Sequence, residues 1–295
     1  MSNVHVLNGK QLSDELLDMQ TIQLDARGDI RRPHLVVISI GNNDASNVYV
    51  KNKKVACDKC NITLTQLKFS ELSDVEAIIQ KIENLNKDTT VDGILVQQPV
   101  PYKFSGIEQF IANEKDVDGF TTYNLGGTLN NLGYMSACTP NGIIELLHYN
   151  DIDIKGKHIV VLGRSNIVGK PLIGLLLNQN ATVTSCNSYT ENIKDITRTG
   201  DIIISAIGKP KMIDADYVSN RCMCIIDVGM NRDENGKLCG DCDFDNIVAC
   251  WNLLDDDIDR YITPVPGGVG PMTVYSLVKN VNKAYCNNII EIMVG

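Results

Sequence analysis

The run Gly163-Arg164-Ser165-Asn166-Ile167-Val168-Gly169 follows an apolar stretch, His158-Ile159-Val160-Val161-Leu162, and opens a segment with helical spacing. A strand that turns through glycine into a helix suits phosphate. The first glycine permits the bend, a later one lets helix pack on strand, and the helix amino terminus offers N–H groups and the positive end of its dipole. Ser165 stands where the usual fingerprint has its middle glycine, so the context carries this reading more than the letters do. After the next strand, an Asp or Glu would bond the adenosine ribose of NAD. This chain has Cys186-Asn187-Ser188-Tyr189 there. With no acid to repel it, a 2′-phosphate is within the means of Ser188 and of the planar guanidinium of Arg164, and NADP is the expected cofactor. Asp201 comes too late, at the start of another strand, to serve as that acid.

A second set of residues suits acid–base work. Tyr49 and Lys53 are four apart, so on a helix they share a face and can meet one ligand, or simply form a solvated pair. A lysine works as acid or base near neutrality only if burial or like charge brings its pKa from ~10.4 towards about 7 to 8. Lys51 and Lys54 are the nearby charges in sequence. Gln97 follows the apolar run Gly93 to Val96, and the carboxyl ends of parallel strands are where ligands bind. Asp118 precedes Gly119, which fits a turn aspartate. Pro266 through Gly270 fits a rigid loop, or one whose glycines let backbone approach a flat ligand.

The elements needed to position these residues are visible as patterns. Leu35 to Ile40, Ile62 to Leu67 and Gly93 to Val96 read as strands, separated by helical segments from about Ala45 to Cys60 and from Val75 to Leu85. The Gly-, Asn- and Thr-rich stretch from about Asn113 to Thr139 reads as an interdomain connection. A second alternation runs from His158 to Leu162, through Val168 to Leu177, to Ala181–Cys186, Asp201–Ser205 and Cys224–Val228. The fold class expected is α/β with two domains, each a parallel sheet flanked by helices, the second a Rossmann-like NADP-binding domain. The boundaries expected are residues 1–137, completed by 271–295, and residues 138–270.

Composition limits the function. A net charge of −9, with 27 basic residues outnumbered by 36 acidic ones, excludes a phosphate-backbone binder. No apolar run reaches the ~18 residues of a membrane span, and the amino terminus has no secretory or transit pattern, so the expected location is cytoplasmic. Cys57-Asp58-Lys59-Cys60 and Cys239-Gly240-Asp241-Cys242 have the spacing of zinc half-sites, but buried thiols are the favoured reading and no metal is expected. The four histidines fall outside the glycine-rich stretches and support no Ser/His/Asp triad. Asp255, Asp256 and Asp257 read as a solvent loop.

Seven stretches in order resemble the bifunctional methylenetetrahydrofolate dehydrogenase/methenyltetrahydrofolate cyclohydrolase family. They are Tyr49 to Lys53, Asp92 to Gln97, Lys115-Asp116-Val117-Asp118-Gly119, Cys138-Thr139-Pro140-Asn141-Gly142, Val161 to Pro171, Ile226-Asp227-Val228-Gly229, and Thr263 to Thr273. The resemblance implies an NADP-dependent oxidation of 5,10-methylenetetrahydrofolate and hydrolysis of the product, with tetrahydrofolate derivatives as substrates. It makes Lys53 the central catalytic group, Gln97 its hydrogen-bonding partner, Tyr49 a stacking surface and Asp118 the pterin ligand. Val96, Gln98, Pro266, Gly267, Gly268, Val269 and Gly270 would line the substrate. Gly163, Arg164, Ser165, Ser188 and Met230 would hold NADP, and the family implies a homodimer through the cofactor domains. The chain departs from the family pattern at Gln98, commonly leucine, at Asn187 and Tyr189, usually a histidine and a basic residue, and at Asn124 to Leu129, which carries an extra residue and lacks a basic one.

Overall fold

The computed structural model describes residues 3–25 and 31–294. In chain order the elements are β1 (Val4–Val6), α1 (Gly9–Asp25), β2 (His34–Ile40), α2 (Asp44–Lys59), β3 (Thr63–Phe69), α3 (Val75–Lys87), β4 (Gly93–Val96), α4 (Thr122–Asn130), α5 (Cys138–Tyr149), β5 (His158–Leu162), α6 (Gly169–Asn178), β6 (Thr182–Cys186), α7 (Ile193–Thr197), β7 (Ile202–Ser205), β8 (Cys224–Asp227), β9 (Asn231–Arg232), β10 (Leu238–Cys239), α8 (Phe244–Trp251), β11 (Arg260–Ile262) and α9 (Val269–Val294). The chain divides into two compact units, one of residues 1–13 and 139–273, the other of residues 14–138 and 274–295.

The first unit is built on a six-stranded parallel sheet in the order β1-β11-β8-β7-β5-β6. β7 and β8 are buried along their whole length, as near-continuous Ile runs must be when both faces of a sheet are covered. The chain leaves β5 on one side for β6 and returns on the other to β7. The carboxyl ends of β5 and β7 therefore frame the switch point at which such sheets bind ligands. β1 departs from the boundary read in the sequence. Val4 pairs with Arg260 and Val6 with Ile262, which places residues 1–13 with the six-stranded sheet and not with the residues that follow them.

The second unit holds a three-stranded parallel sheet in the order β3-β2-β4. Ile78, Ile82 and Leu85 recur on one face of α3 and pack with Val36, Ile38 and Ile94. The stretch from Asn113 to Thr139 is no connection. It lies almost entirely within this unit, and residues Thr122–Asn130 form α4, whose amino end is capped by Thr121 accepting from the Asn124 N–H at 3.3 Å. Gly127 serves close packing, because a Cβ there would lie 2.4 Å from the Gly133 Cα. Asn124 is fully buried and holds the stretch together, donating to the Asn113 carbonyl and to Asp116, and accepting from the Tyr134 and Met135 N–H groups.

The two sheets repeat one device at their amino ends. His34 opens β2 and pairs in register with Thr63, as His158 opens β5 and pairs with Thr182. The His34 ring bonds Thr65 at 2.9 Å and the His158 ring bonds Thr184 at 2.8 Å. The backbone N–H of each histidine donates to a carboxylate just before the third strand, Asp92 or Asp201, at 2.8 Å in both cases. Each carboxylate is closed by an arginine, Arg31 or Arg221. The histidines and Asp201 are therefore framework groups.

The two copies differ in burial, which gives a test. Asp92 is 1% exposed and also accepts from Asn288, whereas Arg221 is largely in solvent. Asp92→Ala leaves a buried N–H and a half-sheltered guanidinium unmatched and should lower the stability of its unit by about 2–3 kcal/mol. Asp201→Ala should cost only about 1 kcal/mol. Urea denaturation of both variants measures the difference, and equal losses would refute the account from burial.

Candidate active site

α2 presents its chemistry on one face. Asn43 caps it, its side chain accepting from the Ser46 N–H at 3.0 Å. Val50, Lys53, Ala56, Cys57 and Cys60 point inward while Lys51 and Lys54 are exposed. Lys54 is turned away to Asp58 at 3.0 Å, so it is not a neighbour of the Lys53 ammonium. Tyr49 lies one turn before Lys53, half-buried, and burial raises its hydroxyl pKa.

Lys53 is only 7% exposed and donates from Nζ to the Gln97 Oε1 at 3.0 Å. Gln97 leaves the carboxyl end of β4, where its backbone N–H continues the ladder to the Ile38 carbonyl at 2.8 Å. Its Nε2 donates to the Gln98 carbonyl at 2.8 Å. That carbonyl can only accept, so the amide is fixed with its oxygen towards Lys53. Gln98 contributes here through its backbone, which also accepts from the Ser46 hydroxyl. Val96 is 2% exposed, and its side chain belongs to the sheet core.

Asp118 faces the same ammonium. Burial raises its carboxyl pKa, the Lys53 charge pulls it back, and Asp116 adds to the rise. The work of a turn aspartate falls to Asp116, which accepts from the Gly119, Phe120 and Thr121 N–H groups and from Asn124. Lys115 caps the carboxyl end of α3 by donating to the Leu85 and Asp88 carbonyls. Behind Asp118, the Val117 carbonyl receives the Cys138 thiol at 3.2 Å and the Asn280 side chain at 2.9 Å. Asn280 also donates to the Ser136 carbonyl. Sequence reasoning singled out neither Asp116 nor Asn280 for this work, and only the alternation of Asp116 and Asp118 hinted at two differently facing carboxylates.

The other unit holds the remaining candidates. Gly163 has φ +118°, and a Cβ there would sit 2.3 Å from the Ala206 carbonyl oxygen. A Cβ on Gly169 would sit 2.3 Å from the Gly163 oxygen, so both glycines are required by the close approach of strand and helix. The turn therefore lies at the switch point between β5 and β7. Ser165 uses its hydroxyl to accept from the Val168 and Gly169 N–H groups. The amino end of α6 is thus partly satisfied by the chain, and side chains must supply more of any phosphate's contacts. Arg164 and Ser188 are both exposed beside the turn, with no acid at the end of β6. These features fit a dinucleotide carrying a 2′-phosphate.

Two carboxylates tie down the surrounding loops. Asp227 accepts from the Gly229, Asp241 and Cys242 N–H groups, and burial pushes it up to about 6. Asp241 accepts from the Ser205 hydroxyl, from the Ile207 and Lys209 N–H groups and from Asn231. Met230 lies between, with its Cε 3.5 Å from where a Gly270 Cβ would stand. The Pro266–Gly270 loop is shaped by φ +106° at Gly267 and by Gly268, whose Cβ would meet the Pro264 oxygen at 2.6 Å. Val269 is buried and starts α9.

Cys57 and Cys60 lie in one unit and Cys239 and Cys242 in the other, and burial pushes the Cys57 thiol up to about 12. Among the described residues no group of three or more His, Cys, Asp or Glu stands together as a metal site. No described helix is long and apolar enough to cross a membrane. Asp256 is not wholly a solvent residue, since it holds the buried Arg260 guanidinium at 2.7 and 2.8 Å.

Comparison with known proteins bears on both units. Residues 7–118 match the catalytic domain of tetrahydrofolate dehydrogenase/cyclohydrolase, and residues 137–289 match the NAD(P)-binding domain of the same family. The chain is 43% identical over 280 residues to the bifunctional protein FolD of Bacillus anthracis, covering 93% of this chain and 94% of the relative. It superposes on the bifunctional FolD methylenetetrahydrofolate dehydrogenase/cyclohydrolase of Campylobacter jejuni with a TM-score of 0.88 and 38% identity, covering 96% and 99% of the two chains. A Trypanosoma brucei methylenetetrahydrofolate dehydrogenase-cyclohydrolase, solved with NADP and an inhibitor, gives a TM-score of 0.88 and 32% identity, covering 98% and 99%. With both units matched and identity well above the level at which only fold is shared, the chain belongs to the tetrahydrofolate dehydrogenase/cyclohydrolase family.

Proposed function

We propose that the chain oxidises 5,10-methylenetetrahydrofolate to 5,10-methenyltetrahydrofolate with NADP and hydrolyses the product to 10-formyltetrahydrofolate. The observation that carries this reading is the buried Lys53 ammonium, bonded to Gln97 at 3.0 Å and facing Asp118, with Tyr49 one turn away. The unit of residues 14–138 and 274–295 is then the folate-binding one, and the unit of residues 1–13 and 139–273 binds NADP. The reading extends to a homodimer in the cytoplasm.

NADP, when bound, supplies the hydride acceptor, and Gly163, Arg164, Ser165, Ser188 and Met230 are the residues to hold it. The chain's own groups do the rest. Asp118 accepts from the adjacent N–H donors of the pterin, and Tyr49 offers a ring to the substrate's aromatic portion. Val96 and Gln98 border the substrate through their backbone at the end of β4. Gln97 fixes Nζ and leaves its other N–H groups for the reacting atoms. In hydrolysis, water's oxygen bonds to the methenyl carbon and one of its protons leaves to solvent. The Lys53 ammonium donates a proton to the ring nitrogen as the carbon–nitrogen bond breaks. The remaining hydroxyl proton passes to Lys53 as the formyl carbonyl forms, which restores the ammonium. Fixing these partners within one unit supplies further acceleration through orientation.

Purified protein given methylenetetrahydrofolate with NADP should produce NADPH and then consume the methenyl product. In Lys53→Met the methenyl decay should slow by about 10²–10⁴-fold, the usual range for loss of a general acid–base group. Wild-type hydrolysis by that variant would refute the role given to Lys53. Asp118→Asn cannot accept both N–H donors, so kcat/KM for the two steps should fall together by roughly tenfold to a hundredfold. A loss confined to one step would show that Asp118 does not bind the part of the substrate common to both.

A further inference from the structure

Arg164 has no carboxylate partner among the described residues, although the chain is acidic. Its guanidinium carbon instead lies 5.8 Å from the centre of the Tyr189 ring. Tyr189 is 82% exposed, so the ring is not there to fill a core. Its place is set by a local lock. The Tyr189 N–H donates to Asn187 Oδ1 at 3.0 Å, the Asn187 N–H donates to Thr190 Oγ1 at 2.9 Å, and the Thr190 N–H returns to the Asn187 carbonyl at 2.9 Å. Ser188 stands exposed inside that lock.

The choice of an aromatic ring has a chemical consequence. A carboxylate beside Arg164 would orient it but would consume N–H donors and repel a second anion. A ring orients the cation through its face and leaves the five in-plane N–H donors for phosphate oxygens. An unsupported arginine would lose more rotamer entropy on binding than one already restrained.

We propose that Tyr189 is a positioning residue for 2′-phosphate recognition, its ring holding Arg164 beside Ser188 so that the pair selects an adenosine 2′-phosphate over a free 2′-hydroxyl. The proposal rests on the NADP reading of this turn.

Calorimetric titration with adenosine 2′,5′-bisphosphate and with AMP, which differ only in the 2′-phosphate, tests it without catalysis. Wild type should bind the bisphosphate more tightly. Tyr189→Ala should weaken the bisphosphate by about two- to fivefold, the range for an exposed cation–ring contact, and leave AMP as it was. Tyr189→Phe keeps the ring and should match wild type. An unchanged preference in Tyr189→Ala overturns the proposal while leaving the NADP reading intact. Equal weakening of both ligands also overturns it, since the ring would then be stacking on the base. No preference in wild type would remove the NADP reading and the proposal together.

Discussion

An ammonium kept from water needs partners that cannot drift, and the second unit is organised around meeting that need for Lys53. Burial of an unpaired charge costs several kcal/mol, so the site exists only while its acceptors are held in place. Gln97 is held by its backbone, which sits in the ladder beside Ile38, and by its own amide, which spends its N–H on the Gln98 carbonyl. Both restraints arise from β4 ending at the switch point of a parallel sheet. A residue at a strand end has the ladder behind it and open space ahead, which is why the rigid partner comes from the strand and the reacting group from the helix.

The two sheets divide their carboxylates by end. At the amino ends, Asp92 and Asp201 collect histidine N–H groups and arginines, and they fix strand register. At the carboxyl ends of the larger sheet, Asp227 and Asp241 gather loop N–H groups from several connections. Only Asp118 among these keeps a carboxylate facing a cation of the candidate site. Counting acidic residues near a motif would not have separated these uses; asking where each carboxylate's acceptor sites are spent does.

Much of this was legible in the sequence because it is local. Leu35 to Ile40 and His158 to Leu162 are apolar runs too short for helices, and four-residue spacing placed Tyr49 and Lys53 on one face. The glycine turn announced itself by following a strand. What was lost is non-local or disguised. β1 is three residues whose identity as a strand comes from β11 at the other end of the chain. α4 contains Gly126 and Gly127, which depress helix propensity, and its stability comes from Asn124 and from backbone contact at Gly133. α9 opens with Val269-Gly270-Pro271, which reads as a loop even though proline is tolerated in a first helical turn. Asn280 could not be assigned a role, because its acceptors lie in a segment distant in sequence.

The short stretch Lys115-Asp116-Val117-Asp118 shows how a binding group is released from structural duty. Lys115 reaches back to end α3, and Asp116 turns inward to hold the chain reversal through four donors. The Val117 side chain is buried while its carbonyl is held by Cys138 and Asn280. With every neighbouring group committed, the next carboxylate is left without a turn to stabilise and is carried on a fixed backbone. A turn aspartate that also had to bind substrate would trade one set of N–H donors for the other, and the fold would loosen each time the site filled. Two aspartates separated by one buried residue remove that conflict, which is why Asp116 and Asp118 are not interchangeable despite their identical chemistry.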